Sequence, residues 1–274
     1  MTTDGNLGII ACPMLEDEII YCLQKDRSWD QVVLIRNSHC NSIASKMQRY
    51  GIPFTERSEQ ELLQGSLEKR SSGFNVIIWM KDLALHEESK ELRREVLESM
   101  QRVDGFFDSI ILFYGLCGNG LEKVEEWGQD NMHTPVTIIR DQEGNPVDDC
   151  ISAAIGGQKQ YLKLLRKYPG VFYLTPAYAT NFDDQVWAME FSRGVERGDL
   201  SMLKMLFDMA GYCNVLKIPT GLGDPEEFHD AVVKFADEFQ FNIITLDKSW
   251  VTLEAIDGSW EHAKGLMAGA QGCR

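Results

Sequence analysis

The sequence predicts an α/β protein with a doubly wound, mostly parallel sheet, Rossmann-like in arrangement. Three observations predict it. Short apolar runs alternate with amphipathic stretches along the chain. Strand, helix and strand in series imply parallel strands joined by right-handed crossovers. A hydrophobic content of 44% over 274 residues supplies a core for one large α/β domain or two small lobes. The expected unit is a single domain, 1–274. If the strands split into two sheets around a cleft, the lobes fall at about 1–147 and 148–264, and a small-residue tail, 265–274, is loose.

The elements follow in order. Leu7-Gly8-Ile9-Ile10-Ala11-Cys12 reads as a buried strand, and Pro13 suits the first turn of the helix behind it. Leu15, Ile19, Ile20 and Leu23 share one face of that helix. Val32–Ile35 is a second strand, followed by a helix from Ser42 to Tyr50 that Gly51 ends. Ser58-x-x-Glu61 has the form of a capping box ahead of Leu62 and Leu63. Phe74–Trp79 is the next strand. From Glu87 to Val103, Leu92, Val96, Leu97, Met100 and Val103 make an apolar helical stripe. Ser109–Tyr114 is a strand that enters the turn Gly115-Leu116-Cys117-Gly118-Asn119-Gly120, and Val136–Ile139 is another. Gln142–Pro146 is a loop, and Cys150–Tyr168 is helical with a break near Gly156-Gly157. Strands at Val171–Leu174, Asn214–Ile218 and Asn242–Leu246 alternate with helices at Leu200–Met209 and Pro225–Phe239.

Composition removes several function classes. Lys plus Arg number 27 and Asp plus Glu 42, a net charge of −15, which repels phosphate backbones and argues against nucleic acid as the partner. No run of about 18 apolar residues is present, so no membrane span is expected. The opening Met1–Gly5 lacks the basic start of a secretion signal, which makes the cytoplasm the expected compartment. The seven cysteines are Cys12, Cys22, Cys40, Cys117, Cys150, Cys213 and Cys273. An odd count in such a chain argues against a disulfide framework, and the absence of CxxC excludes the common zinc-ribbon and ferredoxin spacings. A metal site would have to draw on distant segments.

Ligands in open α/β sheets bind outside the carboxyl ends of the strands, where helix N-termini present free N–H groups. Cys12 ends the first strand, His39-Cys40 follows the second, Cys117 lies in the glycine turn, and Cys150 follows Asp148-Asp149, which can cap a helix. Thr175-Pro176-Ala177-Tyr178, Thr220–Gly223 and Asp247-Lys248 hold the equivalent places after later strands. Three or four thiols thus converge on one sheet edge. Cys117 is the sharpest candidate: Gly115, Gly118 and Gly120 permit a tight turn, and a thiol near a helix start would be largely thiolate. Soft metals and iron–sulfur clusters require thiolates. The same turn suits a nucleophile, an anion cradle, or a cysteine packed as a small hydrophobe. Cys22 reads as core, Cys213 as structural, and His39-Cys40 as a surface loop that can add a fourth ligand. His86, His133, His229 and His262 have no metal-type spacing. Glu87-Glu88, Asp183-Asp184 and Glu226-Glu227 read as solvated helix starts.

Ile10-Ala11-Cys12, Tyr114–Gly120, Asp149-Cys150-Ile151 with Gly156, and Pro169-Gly170 leading to Tyr173-Leu174-Thr175-Pro176 resemble the domain of unknown function 1638 family. The resemblance runs from about Leu7 to about Trp260. It implies a setting in methanogenic archaea and anaerobic bacteria, beside corrinoid-dependent methyltransferases. It also implies that Cys12, Cys117 and Cys150 belong together, in agreement with the strand-end argument. Typical members of that family carry a histidine just before the aspartate–cysteine pair. Asp148 stands there in this chain, and the loop 141–147 is longer, which implies a different substrate or metal.

Three readings follow. The first is a metalloprotein in which Cys12, Cys117 and Cys150 hold a 4Fe–4S cluster or zinc and leave one coordination position open. Gly115, Gly118, Asn119, Gly120, Asp148, Asp149 and Thr175 are then the candidates for contacts to the bound group or its small-molecule ligand. The second is a non-catalytic accessory or binding protein of a corrinoid methyltransferase system. The chain lacks Asp-x-His-x-x-Gly, so assisting a corrinoid carrier suits it better than carrying the corrinoid. The third is metal-free chemistry with Cys117 as nucleophile, for which no histidine is placed by sequence as a base.

Overall fold

The computed structural model describes residues 4–65, 73–82, 88–182, 186–187, 192 and 194–271. One sheet holds β1 (Gly5–Ala11), β2 (Gln31–Arg36), β3 (Thr55–Ser58), β4 (Phe74–Met80), β5 (Ser109–Phe113) and β6 (Val136–Ile138). Their spatial order is β3-β2-β4-β1-β5-β6, with every pair parallel. The second sheet is β7 (Val171–Leu174), β8 (Asn214–Lys217) and β9 (Asn242–Thr245), also parallel and in that order. The described helices are α1 (Glu16–Lys25), α2 (Asn41–Arg49), α3 (Glu59–Leu63), α4 (Ser89–Arg102), α5 (Val124–Asn131), α6 (Cys150–Ala154), α7 (Gln158–Lys167), α8 (Pro176–Thr180), α9 (Leu200–Met209), α10 (Pro225–Phe239) and α11 (Glu254–Gln271).

The first sheet is covered on both faces, as an all-parallel sheet must be. Alternate residues of each strand point opposite ways. Leu7, Ile9 and Ala11 of β1 pack with Val76, Ile78, Ile111 and Phe113 under α1, α2 and α11. Ile10, Ile77, Trp79, Ile110 and Leu112 pack on the other face under α3, α4 and α5. Ile9 sits level with Ile78 on one side and Ile111 on the other. The second sheet repeats the scheme. Phe172, Leu174 and Val215 face α9 and α10, whose Phe207, Phe235 and Phe239 build an aromatic core. Val171 and Leu216 face Ile151 and Ile155 of the α6 segment and Leu164 of α7. The doubly wound α/β arrangement is therefore present, with the strands divided between two sheets.

Local signals explain the element ends. Ser58 caps α3 through a capping box with Glu61. Gly156 and Gly157, with φ of 89° and 109°, end α6 and open α7, which is the break the sequence marks. The structure differs from expectation in two places. β3 pairs with β2 although Thr55-Glu56-Arg57-Ser58 contains no apolar residue. It is an edge strand, open to solvent, and needs none. The tail expected to be loose from Gly265 is helical to Gln271 in α11. Ala255, Ile256, Trp260, Ala263 and Met267 of that helix are buried against the first sheet. Glu87, His86, Asp183, Asp184 and Cys273 lie outside the described residues.

A charged junction joins the two halves. Glu16, Asp17 and Glu18 open α1 and are all buried. Glu16 accepts from Ser42 Oγ at 2.7 Å and from Asn181 Nδ2, beyond α8, at 3.1 Å. The Lys46 ammonium bridges Glu16 and Asp17 at 2.9 and 2.6 Å. Burial alone would lower the Lys46 pKa, but these two carboxylates outweigh it and hold the pKa up. Glu18 lacks such a partner: its Oε2 is buried without a hydrogen bond among the described residues. Burial, with Asp17 beside it, pushes the Glu18 carboxyl up to about 8, so it is a neutral acid at pH 7.

Candidate functional site

The strand order changes direction beside β1. The chain leaves β1 toward β2 on one side and leaves β5 toward β6 on the other. Loops that diverge in this way open a crevice above the carboxyl ends of the strands. Cys12 follows β1 and Cys117 follows β5, so the two thiols flank that crevice. The Cys12 backbone N–H donates to Phe113 O at 3.2 Å and ties the two strand ends together.

The third thiol arrives by backbone pairing. After β6 the chain folds back through a bridge between Arg140 and Pro146. Leu116 N then donates to Val147 O, and Cys117 N to Asp148 O, each at 2.9 Å. Gly115 makes this approach possible, since a Cβ there would lie 2.6 Å from both Cα and N of Asp149. Asp149 next caps α6: its Oδ1 accepts from Ser152 N at 2.7 Å, and its own N–H donates to Ser152 Oγ. Cys150 is the first residue of that helix. The turn itself is left-handed at three successive residues, Cys117, Gly118 and Asn119, with φ of 46°, 63° and 66°. Two of these are not glycine, a strain of about 1 kcal/mol or more each.

Cys12, Cys117 and Cys150 line one cavity of about 470 Å³. Gly115, Gly118 and Asp149 line it as well. Asn119, Gly120 and Thr175, expected at the site, are not among its lining residues. Asn119 is exposed, and Gly120 packs on the Ser89 backbone. Thr175 caps α8 by accepting from Tyr178 N at 3.4 Å. His39 and Cys40 also stand apart. The His39 ring is 4.0 Å from Asp82, and Cys40 is buried rather than on a surface loop, its Sγ donating to Asn37 O. Cys22 is in the core and Cys213 is exposed.

The opposite wall was not foreseen. Tyr161, Phe172, Tyr173, Tyr178 and Tyr212, from the second sheet and the segments around it, line the same cavity as the thiols. A sequence signal exists: five of the eight tyrosines, at 161, 168, 173, 178 and 212, fall within that part of the chain.

The thiols do not have the expected thiolate character. Burial pushes Cys12 up to about 12 and raises Cys117 and Cys150 as well. Carboxylates add to the effect, Asp149 and Asp148 on Cys117 and Asp149 on Cys150. The expected lowering fails because burial outweighs it, and α5, the next helix after the turn, starts only at Val124. Among the described residues no Lys, Arg or His lines the cavity, so none of these supplies a cation or a base beside Cys117. Burial likewise raises the Asp149 carboxyl, and the Tyr161 hydroxyl is turned toward it. The Tyr114 hydroxyl, with Cys12 and Cys117 as its foremost electrostatic neighbours, is buried without a hydrogen-bond partner among the described residues.

Among the described residues, no group of three or more His, Cys, Asp or Glu side chains is arranged to hold a metal ion. The three sulfurs share a cavity without closing on one point. Among the described residues, no helix is long and apolar enough to cross a membrane.

Neither the curated proteins nor the solved structures contain a match to this chain. One family of sequences does match, over residues 80–256. That stretch takes in Cys117, Cys150 and the aromatic wall and begins after Cys12. By that match the chain belongs to the family described as Protein of unknown function (DUF1638).

Proposed function

We propose that the chain is a cytoplasmic metalloprotein in which Cys12, Cys117 and Cys150 hold an iron–sulfur cluster, with zinc as the competing occupant. The observation that carries this reading is the convergence of three thiols, from three remote loops, on one cavity. A metal centre held by three thiolates keeps one position open and offers a small ligand a Lewis acid there. Tetrahedral zinc needs sulfurs about 3.8 Å apart, given Zn–S distances of about 2.3 Å.

The chain's own residues support such a centre in three ways. Gly115 holds the Cys117 and Cys150 segments side by side. Tyr114 has an unused buried donor facing Cys12 and Cys117, and a sulfur that has lost its proton is the acceptor it lacks. The Tyr161–Asp149 pair screens the far side. Because the free thiols are neutral, loading releases protons, and affinity rises with pH. The family resemblance adds the setting: service to a corrinoid methyltransferase system in anaerobic one-carbon metabolism.

The test is to purify and reconstitute the full chain without oxygen and to measure iron, sulfide, zinc and the absorption spectrum. About one cluster or one zinc per chain is expected. Cys12→Ser, Cys117→Ser and Cys150→Ser are each expected to lose most of it, and Cys22→Ser and Cys213→Ser to keep it. Metal below about a tenth of an equivalent, or equal loading of all five variants, overturns the reading.

A further inference from the structure

We propose that the aromatic half of the cavity binds an organic cation of the alkylammonium type, with its charged head against the tyrosine rings. The proposal rests on the reading of this cavity as the binding site and names the chemical class of its organic ligand.

Three observations carry it. The first is the shape of the wall. Phe172 has Tyr178 at 5.8 Å and 81° on one side and Tyr212 at 6.3 Å and 69° on another. Two rings therefore stand steeply to a shared third, and Tyr161 and Tyr173 continue the lining. Five aromatic residues thus border one cavity, and aromatic rings attract cations at their faces.

The second is the sign of the charge. Among the described residues no Lys, Arg or His lines the cavity, whereas Asp149 does. Asp148 bears on Cys117, Asp82 and Glu16 on Cys12, and Glu95 on Tyr114. Among the described lining residues the one ionisable acid or base other than thiol and phenol is the Asp149 carboxyl, which favours a cation over a carboxylate or phosphate ligand. The net charge of −15 draws cations toward the molecule in the first place.

The third is the match of polarity and size. A volume of about 470 Å³ exceeds what a metal centre alone fills. The floor is apolar or weakly polar: Met14, Leu15, Leu165 and Val171 accompany the rings. A bare ammonium would lose its hydration there without enough donors and acceptors in return. An alkylated ammonium spreads its charge over methyl or methylene groups and is weakly hydrated. It therefore suits aromatic rings with one carboxylate nearby.

The experiment uses choline as the cation and its uncharged isostere, in which carbon replaces the quaternary nitrogen. Both are titrated calorimetrically into the full chain, metal-free and after loading. Choline is expected to bind on the order of tenfold more tightly than the isostere. Tyr212→Leu and Tyr178→Leu are expected to weaken choline by a similar factor and the isostere by less. Tyr212→Phe, which keeps the ring, is expected to bind as the parent does. Equal affinity for choline and the isostere, or no choline binding in either form, overturns the proposal. Failure of the cysteines to hold metal, with choline selectivity intact, removes the metal reading and leaves this one standing. The reverse result removes this one alone.

Discussion

At the residue scale, Gly115 decides whether the site exists. Its missing side chain is what lets residues 115–117 lie against 147–149, and through that contact the Cys117 segment lies beside the one that carries Cys150. In Gly115→Ala the new methyl would fall 2.6 Å from backbone atoms of Asp149, which cannot swing aside as a side-chain end could. The expected cost is about 1–3 kcal/mol in urea unfolding, with metal content reduced in the same variant. A variant as stable and as metal-rich as the parent would show that the two loops can meet without the glycine. The nearness of Cys12 and Cys117 was legible in the sequence because each follows a strand end, whereas Cys150 joins their cavity through the pairing of 147–148 with 116–117. The protonation of those thiols was not legible, because burial by residues remote in sequence sets it.

At the element scale, short helices here depend on their caps. α3 spans only Glu59–Leu63, and Ser58 supplies both halves of its N-terminal hydrogen bonding with Glu61. Ser58→Ala is expected to lower stability by about 1 kcal/mol without changing metal content, as denaturant melts and metal analysis would show. That box could be read from Ser58-x-x-Glu61, because a cap is written within four residues. β3 could not: Thr55–Ser58 carries polar side chains, and only its place on the edge beside β2 makes it a strand. α11 was hidden for another reason. Gly258, Gly265 and Gly269 dilute its apolar stripe, and its helicity follows from packing on a sheet formed much earlier in the chain.

At the scale of the whole molecule, buried Glu18 at the junction of the two sheets makes stability depend on pH. Glu18 has a folded pKa of about 8, above the ordinary carboxyl value of about 4.5. Its contribution is therefore fully present below about pH 4.5 and lost as pH rises through about 8, since the unfolded chain ionises first. Glu18→Gln keeps the shape and removes the titration. The melting temperature of the variant is expected to gain on that of the parent between pH 5 and pH 9, with the two closest at the acid end. Parallel curves across that range would show that Glu18 ionises in the fold. The division into two sheets was open at the level of sequence because apolar runs give the number of strands and not their neighbours. The aromatic wall escaped for the same reason, since its residues meet the thiols only once the second sheet is set beside the first.

The return of α11 to the first sheet makes the second one a cassette, begun and ended on the same foundation. Exchange of that cassette between relatives would change what the cavity accepts and leave Cys12, Cys117 and Cys150 in their own loops. Selection for new reactants in this lineage would then be recorded chiefly in residues 158–246, as turnover of the tyrosines, while the sulfur-bearing loops change slowly.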